Sequence, residues 1–179
     1  MKQALGRTFI AAIALVLGAG VYAADKKGEG KLSGNDRHFV TTAAHDGLAE
    51  VELGKLAQQN GSSSAVKEFG QRMVDDHSKA NQELADIATK LGMTPPKEPA
   101  AKHQADIKKF SKLTGEKFDR EYAAHMVKDH EKAVALFQKQ AKSGGSEELK
   151  AFAGKTLPAL QEHLKMARAL SPQKGSKKQ

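Results

Sequence analysis

Across most of its length this chain places apolar side chains three or four residues apart, a spacing that builds one-sided helices and is incompatible with strands. One such stripe is Val66, Phe69, Met73, His77, Ala80, Leu84, Ile87 and Leu91, and another is Phe118, Tyr122, Met126, His130, Ala133 and Phe137. Phe39, Ala43, Gly47, Val51 and Gly54 form a third, and a fourth periodic segment follows the turn Ser143-Gly144-Gly145. No stretch alternates with a period of two. Each stripe covers one side only, so the four segments must face one another, and the expected fold is a four-helix bundle.

Punctuation in the sequence sets the helix ends. The first helix is expected from about Asp36 to the stop at Asn60-Gly61, and the second from the Ser62 to Ser64 cap to about Leu91, ended by Gly92 and Pro95-Pro96. The third starts after a Thr114 cap and runs to about Lys142. The fourth is capped by Ser146, carries Glu147 and Glu148 in its first turn, and runs to about Leu170. Glycine costs about 1 kcal/mol relative to alanine inside a helix, so Gly47 and Gly54 on an inward stripe predict a close-packed neighbour. Pro158 removes the bond to the carbonyl of Gly154 and predicts a kink.

The link from Gly92 to Gly115 is far longer than the roughly 2 to 8 residues that join antiparallel neighbours. It can recross a helix roughly 35 to 40 Å long, and it carries a short amphipathic piece over about 99–113. The expected fold is therefore all-α, a ferritin-like up-down-down-up four-helix bundle with a long crossover carrying a short helix.

Residues 1–23 have the form of a cleaved signal peptide: Lys2 and Arg7, an apolar run from Phe9 to Leu17, then Val21-Tyr22-Ala23 before the cut. That run is shorter than the roughly 20 residues a spanning helix needs. Residues 24–35 read as a flexible linker, 36–170 as one bundle domain, and 171–179 as a disordered basic tail. The chain has no cysteine, which rules out disulfides, thiolate chemistry and a lipid-modified cysteine at the cut. A periplasmic location, with outer-membrane association as its variant, fits best. The leader and tail hold Lys2, Arg7, Lys174, Lys177 and Lys178, more than half of the net charge of +8. The domain itself is mildly basic, which favours weak attraction to anionic envelope lipid over nucleic acid.

FVTTAAHDGLAEVELGKLA, the MVDDHSKANQEL run, the LSKLTGEKFDREYAAHMVKDHEKAVALF run and KTLPALQEHLKMARAL, in that order, resemble the bacterial "domain of unknown function 4142" family. The resemblance covers about residues 36–170. It implies an exported, ferritin-like helical bundle, often labelled a predicted outer-membrane protein, and it implies no reaction.

The chemistry-bearing motif is a near-repeat. Met73 to Ala80, MVDDHSKA, returns at Met126 to Ala133 as MVKDHEKA, identical at six of eight positions, and Glu162-His163-Leu164-Lys165 echoes its core. Met73 with His77, and Met126 with His130, share a helix face at a spacing of four, and Met166 stands three beyond His163. Thioether plus imidazole is a ligand set that suits copper. A di-iron centre of the ferritin type needs Glu-x-x-His on two helices, and that motif is absent.

Counting from the turns puts His77 opposite Gly47 and His130 opposite Pro158, in one layer, with Asp46 or Glu50 as carboxylates. On the same count His163 falls about five residues, or roughly 7 to 8 Å, away along the axis, so the three motifs are not expected to meet. His77, His130, Met73, Met126 and Glu50 are the candidate metal ligands, with a copper-type transition metal as the candidate cofactor. Set against this, methionines on a stripe commonly fill cores and a stripe histidine is commonly a hydrogen-bonded core residue, with Asp76 or Asp129 as its partner. His38, His45, His103 and His125 lack the repeated context.

No phosphate loop, Gly-x-Ser-x-Gly elbow or cysteine nucleophile is present, which weighs against an enzyme. The sequence thus favours a structural, stress-related or interaction module of the envelope, with the transition-metal bundle as the alternative.

Overall fold

The computed structural model describes residues 32–171. The expected leader, most of the linker and nearly all of the basic tail lie outside the described residues. Within them are five α-helices and no strand: α1 Gly34–Asn60, α2 Ser64–Lys90, α3 Ala101–Phe110, α4 Gly115–Ser143 and α5 Glu147–Leu170. None of these is long and apolar enough to cross a membrane.

Serine hydroxyls start three of the helices: Ser33 accepts from the Asp36 N–H at 3.1 Å, Ser63 from Val66 at 3.2 Å and Ser146 from Leu149 at 3.3 Å. The Ser33 cap begins α1 ahead of the expected Asp36, and Leu32 just before it is buried in the core. Thr114 makes no side-chain capping bond, contrary to expectation. The first turn of α4 follows Gly115, whose φ of +65° puts the chain in the left-handed region. Gly92 beyond α2 is also left-handed, at +72°. α5 runs through Pro158 as one continuous helix.

Two buried or half-buried carboxylates tie the ends together. Asp119, near the start of α4, accepts from the N–H and hydroxyl of Ser62 at 2.9 and 2.7 Å and from the N–H of Ser63 at 2.9 Å. Asp36 in the first turn of α1 accepts from Gln140 at 2.7 Å and from the Gly145 N–H at 3.0 Å. Thus α4 starts where α1 turns into α2, and α1 starts where α4 turns into α5. The segment carrying α3 returns the chain along the length of the molecule between α2 and α4.

The most extensive pairings are α1 with α2 and α4 with α5, and α2 with α5, α1 with α4 and α1 with α3 complete the packing. Between α1 and α2 the backbones come close enough that a Cβ on Gly54 would lie 2.7 Å from the Gly70 carbonyl, and one on Gly70 would lie 2.7 Å from the Gly54 carbonyl. The close approach expected of the inward glycines is therefore real.

The core is two apolar clusters, not one. The first gathers Phe39, Val40, Leu84, Phe137, Phe152 and Leu160; the second gathers Leu53, Phe69, Met73, Phe118, Tyr122 and Met126. On every long helix a polar residue sits between the two: Glu50 on α1, His77 on α2, His130 on α4 and His163 on α5. All four are buried.

Candidate metal centre

Leaving a buried polar atom without a partner costs about 1 to 3 kcal/mol, so a layer of four such residues across a core needs a physical account. The three imidazoles form a nearly equilateral triangle: ring centroids are 5.7 Å apart for His77 and His130, 5.5 Å for His77 and His163, and 5.4 Å for His130 and His163. One ring nitrogen from each lies within 4.8 Å of the other two. Ideal metal–nitrogen bonds of 2.0 to 2.1 Å in a tetrahedron correspond to nitrogen separations of about 3.3 Å, so holding an ion would draw the rings closer together.

Hydrogen bonds fix which nitrogen two of the rings present. His130 Nδ1 lies 3.0 Å from the carbonyl oxygen of Met126, which can only accept, so Nδ1 carries the proton and donates. His163 Nε2 donates in the same way to Asp76 Oδ2 at 2.9 Å. That leaves lone pairs on His130 Nε2 and His163 Nδ1, and these two atoms, with His77 Nε2, are buried without a partner. The three cannot satisfy one another. Two are acceptors, and the third can donate to at most one of them.

Burial disfavours the charged form of all three rings. It pushes the His77 imidazole well below its ordinary value, helped by His130 and His163. It brings His130 down to about 4, with the charge of His163 adding to the effect and the bond to Met126 opposing it. It lowers His163 as well, against the pull of Asp76. The centre therefore presents neutral imidazoles, the form that binds metals.

Asp76 is the carboxylate that orients His163. It sits beside His77 on α2, reaches across to His163 on α5, and is itself held by Arg72 Nε at 3.2 Å. Burial would raise its pKa, but the bonds from His163 and Arg72 outweigh that and lower it. A carboxylate behind a ligating imidazole fixes the ring and raises its basicity. The matching acid in the other copy of the repeat does something else: Asp129 pairs with His125 at 2.9 Å and Lys132 at 3.0 Å.

The structure groups the candidate residues differently from the count along the sequence. His77 and His130 share a layer as expected, but His163 joins them, contrary to the estimate from residue counting. Side chains lean toward the N-terminus of their helix. Where α4 and α5 run antiparallel from the Ser143 to Ser146 turn, His130 leans away from the turn and His163 toward it, which closes the axial offset. Glu50 is outside the group: Oε1 lies 3.8 Å from His130 Nδ1, the nitrogen occupied by Met126, and Oε2 has no partner. Its burial first, then the charges of Asp129 and Asp46, push its pKa well up. Met73 and Met126 are fully buried in the second apolar cluster, and Met126 serves the centre through its carbonyl. Asp46 is taken by His103 at 2.8 Å, and His45 Nδ1 meets the carbonyl of Glu98 at 2.8 Å, so both anchor the α3 segment to α1.

A family model described as "Domain of unknown function (DUF4142)" matches residues 22–170. The chain belongs to the DUF4142 family. A comparison with curated proteins returns no match. Among solved structures the DUF4142 chain is similar to one described as "Crystal structure of DUF305 fragment from Deinococcus radiodurans", with a TM-score of 0.68 at 13% identity, covering 78% of this chain and 96% of that one. At that identity the likeness concerns the fold of the DUF4142 helices alone.

Proposed function

We propose that this protein is an exported helical bundle that binds one first-row transition metal at His77, His130 and His163. The observation that carries the reading is three buried, unpartnered imidazole nitrogens from three helices gathered in one cluster, two of them in tautomers that leave a lone pair free. A structural histidine layer would pair those atoms. A metal ion satisfies all of them at once.

Neutral imidazole suits zinc, copper, iron and nickel, and the divalent affinity order puts copper first. Export rests on the leader at residues 1–23 and the absence of cysteine. The arrangement is read as the up-down-down-up, ferritin-like bundle, with a three-histidine centre in place of a carboxylate-bridged di-iron site. Metal handling in the envelope is then the role, and it supersedes the metal-free interaction module as the preferred reading.

Elemental analysis of protein expressed in copper- and zinc-supplemented medium, with calorimetric titration of the metal-free chain, tests this. One equivalent of metal in wild type and loss of that equivalent in H130A and H163A is the expected result. Substoichiometric metal that ignores both substitutions rejects the centre.

A further inference from the structure

Two of the three imidazoles have their second nitrogen held, His130 Nδ1 by the Met126 carbonyl and His163 Nε2 by Asp76. His77 occupies the place of His130 in the repeated octapeptide, yet among the described residues its ring has no hydrogen-bond partner. Its Nε2 is sealed, while the residue keeps 9% of its surface against 1% for each of the other two histidines. His77 lines a cavity of about 60 Å³ between the long helices, and neither other ring does. With Nε2 sealed, Nδ1 is the nitrogen left for that cavity. Asn81, one turn along α2 from His77, and Glu50 of α1 add polar groups to the wall. A Cβ on Gly47 would collide with Asn81 Oδ1, so the glycine leaves that amide its place. Resting on the metal reading above, we infer that this cavity holds ordered water that accepts a hydrogen bond from His77 Nδ1 and so leaves the lone pair of His77 on Nε2.

Size and chemistry select water. One molecule needs on the order of 10 to 15 Å³ of such space and about two to four polar partners, so the cavity takes a small cluster. Water accepts from the His77 N–H and donates to the Asn81 amide oxygen or the Glu50 carboxyl. It also brings no charge to a wall that already carries Asp46, Asp129 and Lys132. A histidine that holds a metal almost always donates its other N–H to a carboxylate, a carbonyl or a water. Asp76 and the Met126 carbonyl fill the first two roles here, and the cavity supplies the third. Every ring then has its tautomer fixed before a metal arrives.

The test starts from the metal-free, isotope-labelled full chain at neutral pH. Two-bond proton–nitrogen correlation spectra assign the tautomer of His77, whose signals are identified by their loss in His77→Gln, and water-to-protein cross-relaxation reports bound water at the Asn81 amide. Wild type should carry the proton on Nδ1 and show the water. Ala80→Leu fills the cavity, and Asn81→Leu removes the amide at similar size. Each should lose the water, mix the His77 tautomers and, in competition with a chelator, weaken Zn(II) binding about 10- to 100-fold at an unchanged one equivalent. A wild-type His77 protonated on Nε2, or variants that keep its tautomer and Zn(II) affinity, would overturn the inference and leave the metal centre standing. Wild type that shows the Nδ1 proton and the water but binds no Zn(II) would reject the metal reading while the hydrated His77 stands.

Discussion

At the scale of single residues, the layer joining the two apolar clusters holds polar groups that do not pair with one another, and the proposed metal would satisfy them. Asp76→Asn keeps the shape of the side chain and removes its charge behind His163, so metal affinity should fall about 10- to 100-fold while the metal-free fold persists. Competition against a chelator of known affinity measures it. Glu50 gives a prediction of opposite sign. Its pKa is raised above 4.5 in the folded chain, so as pH climbs past that value the unfolded chain loses its proton first and stability declines. Glu50→Gln should therefore raise the urea midpoint of the metal-free protein at pH 7, and the gain should shrink toward pH 4.5.

The histidines set a separate pH window. Their folded pKa values lie below 6.5, His130 at about 4, so between these limits the unfolded chain binds more protons than the folded one. Stability of the metal-free protein should be full above pH 6.5 and fall as pH drops toward 4. Replacing His130 and His163 by Gln should flatten that slope in a series of denaturation curves. A slope unchanged in the double variant would show that the rings are not the titrating groups.

At the scale of elements, the helices are specified locally and joined by a few polar bonds at their ends. Asp119 holds the start of α4 to the α1–α2 turn through three bonds, which outweigh the effect of burial and lower its pKa. Asp119→Ala should cost about 1 to 2 kcal/mol in the manner of a lost helix cap, read as a lower thermal midpoint with unchanged helicity. Gly70→Ala meets the Gly54 carbonyl and the Ala57 methyl at 2.7 Å, both on the facing helix, and should cost about 1 to 3 kcal/mol through overpacking. The same change at Gly154, where a Cβ meets nothing within 4 Å, is the control and should be neutral or stabilising.

At the scale of the whole molecule, the proposed metal would be linked to the fold. A ligand that binds only the folded state at 100 times its Kd adds about 2.7 kcal/mol, so Cu(II) or Zn(II) should raise the thermal midpoint of wild type by several degrees and leave that of the His130 and His163 double variant unmoved. The four long helices, their turns, the short helix in the long link between α2 and α4 and the burial of His77 and His130 were legible in the sequence. Each follows from a local signal: a 3.6 spacing, a serine cap, a Gly or Pro stop, a repeated octapeptide. The membership of His163 in the histidine cluster, the turning of Asp76 toward α5 rather than toward its neighbour His77 and the place of Glu50 outside that cluster were not legible. These depend on how far one helix is displaced along another and on the opposite lean of side chains on antiparallel neighbours. A helical period determines which face of its own helix a residue occupies, and only the packing of four such helices decides which nitrogens meet.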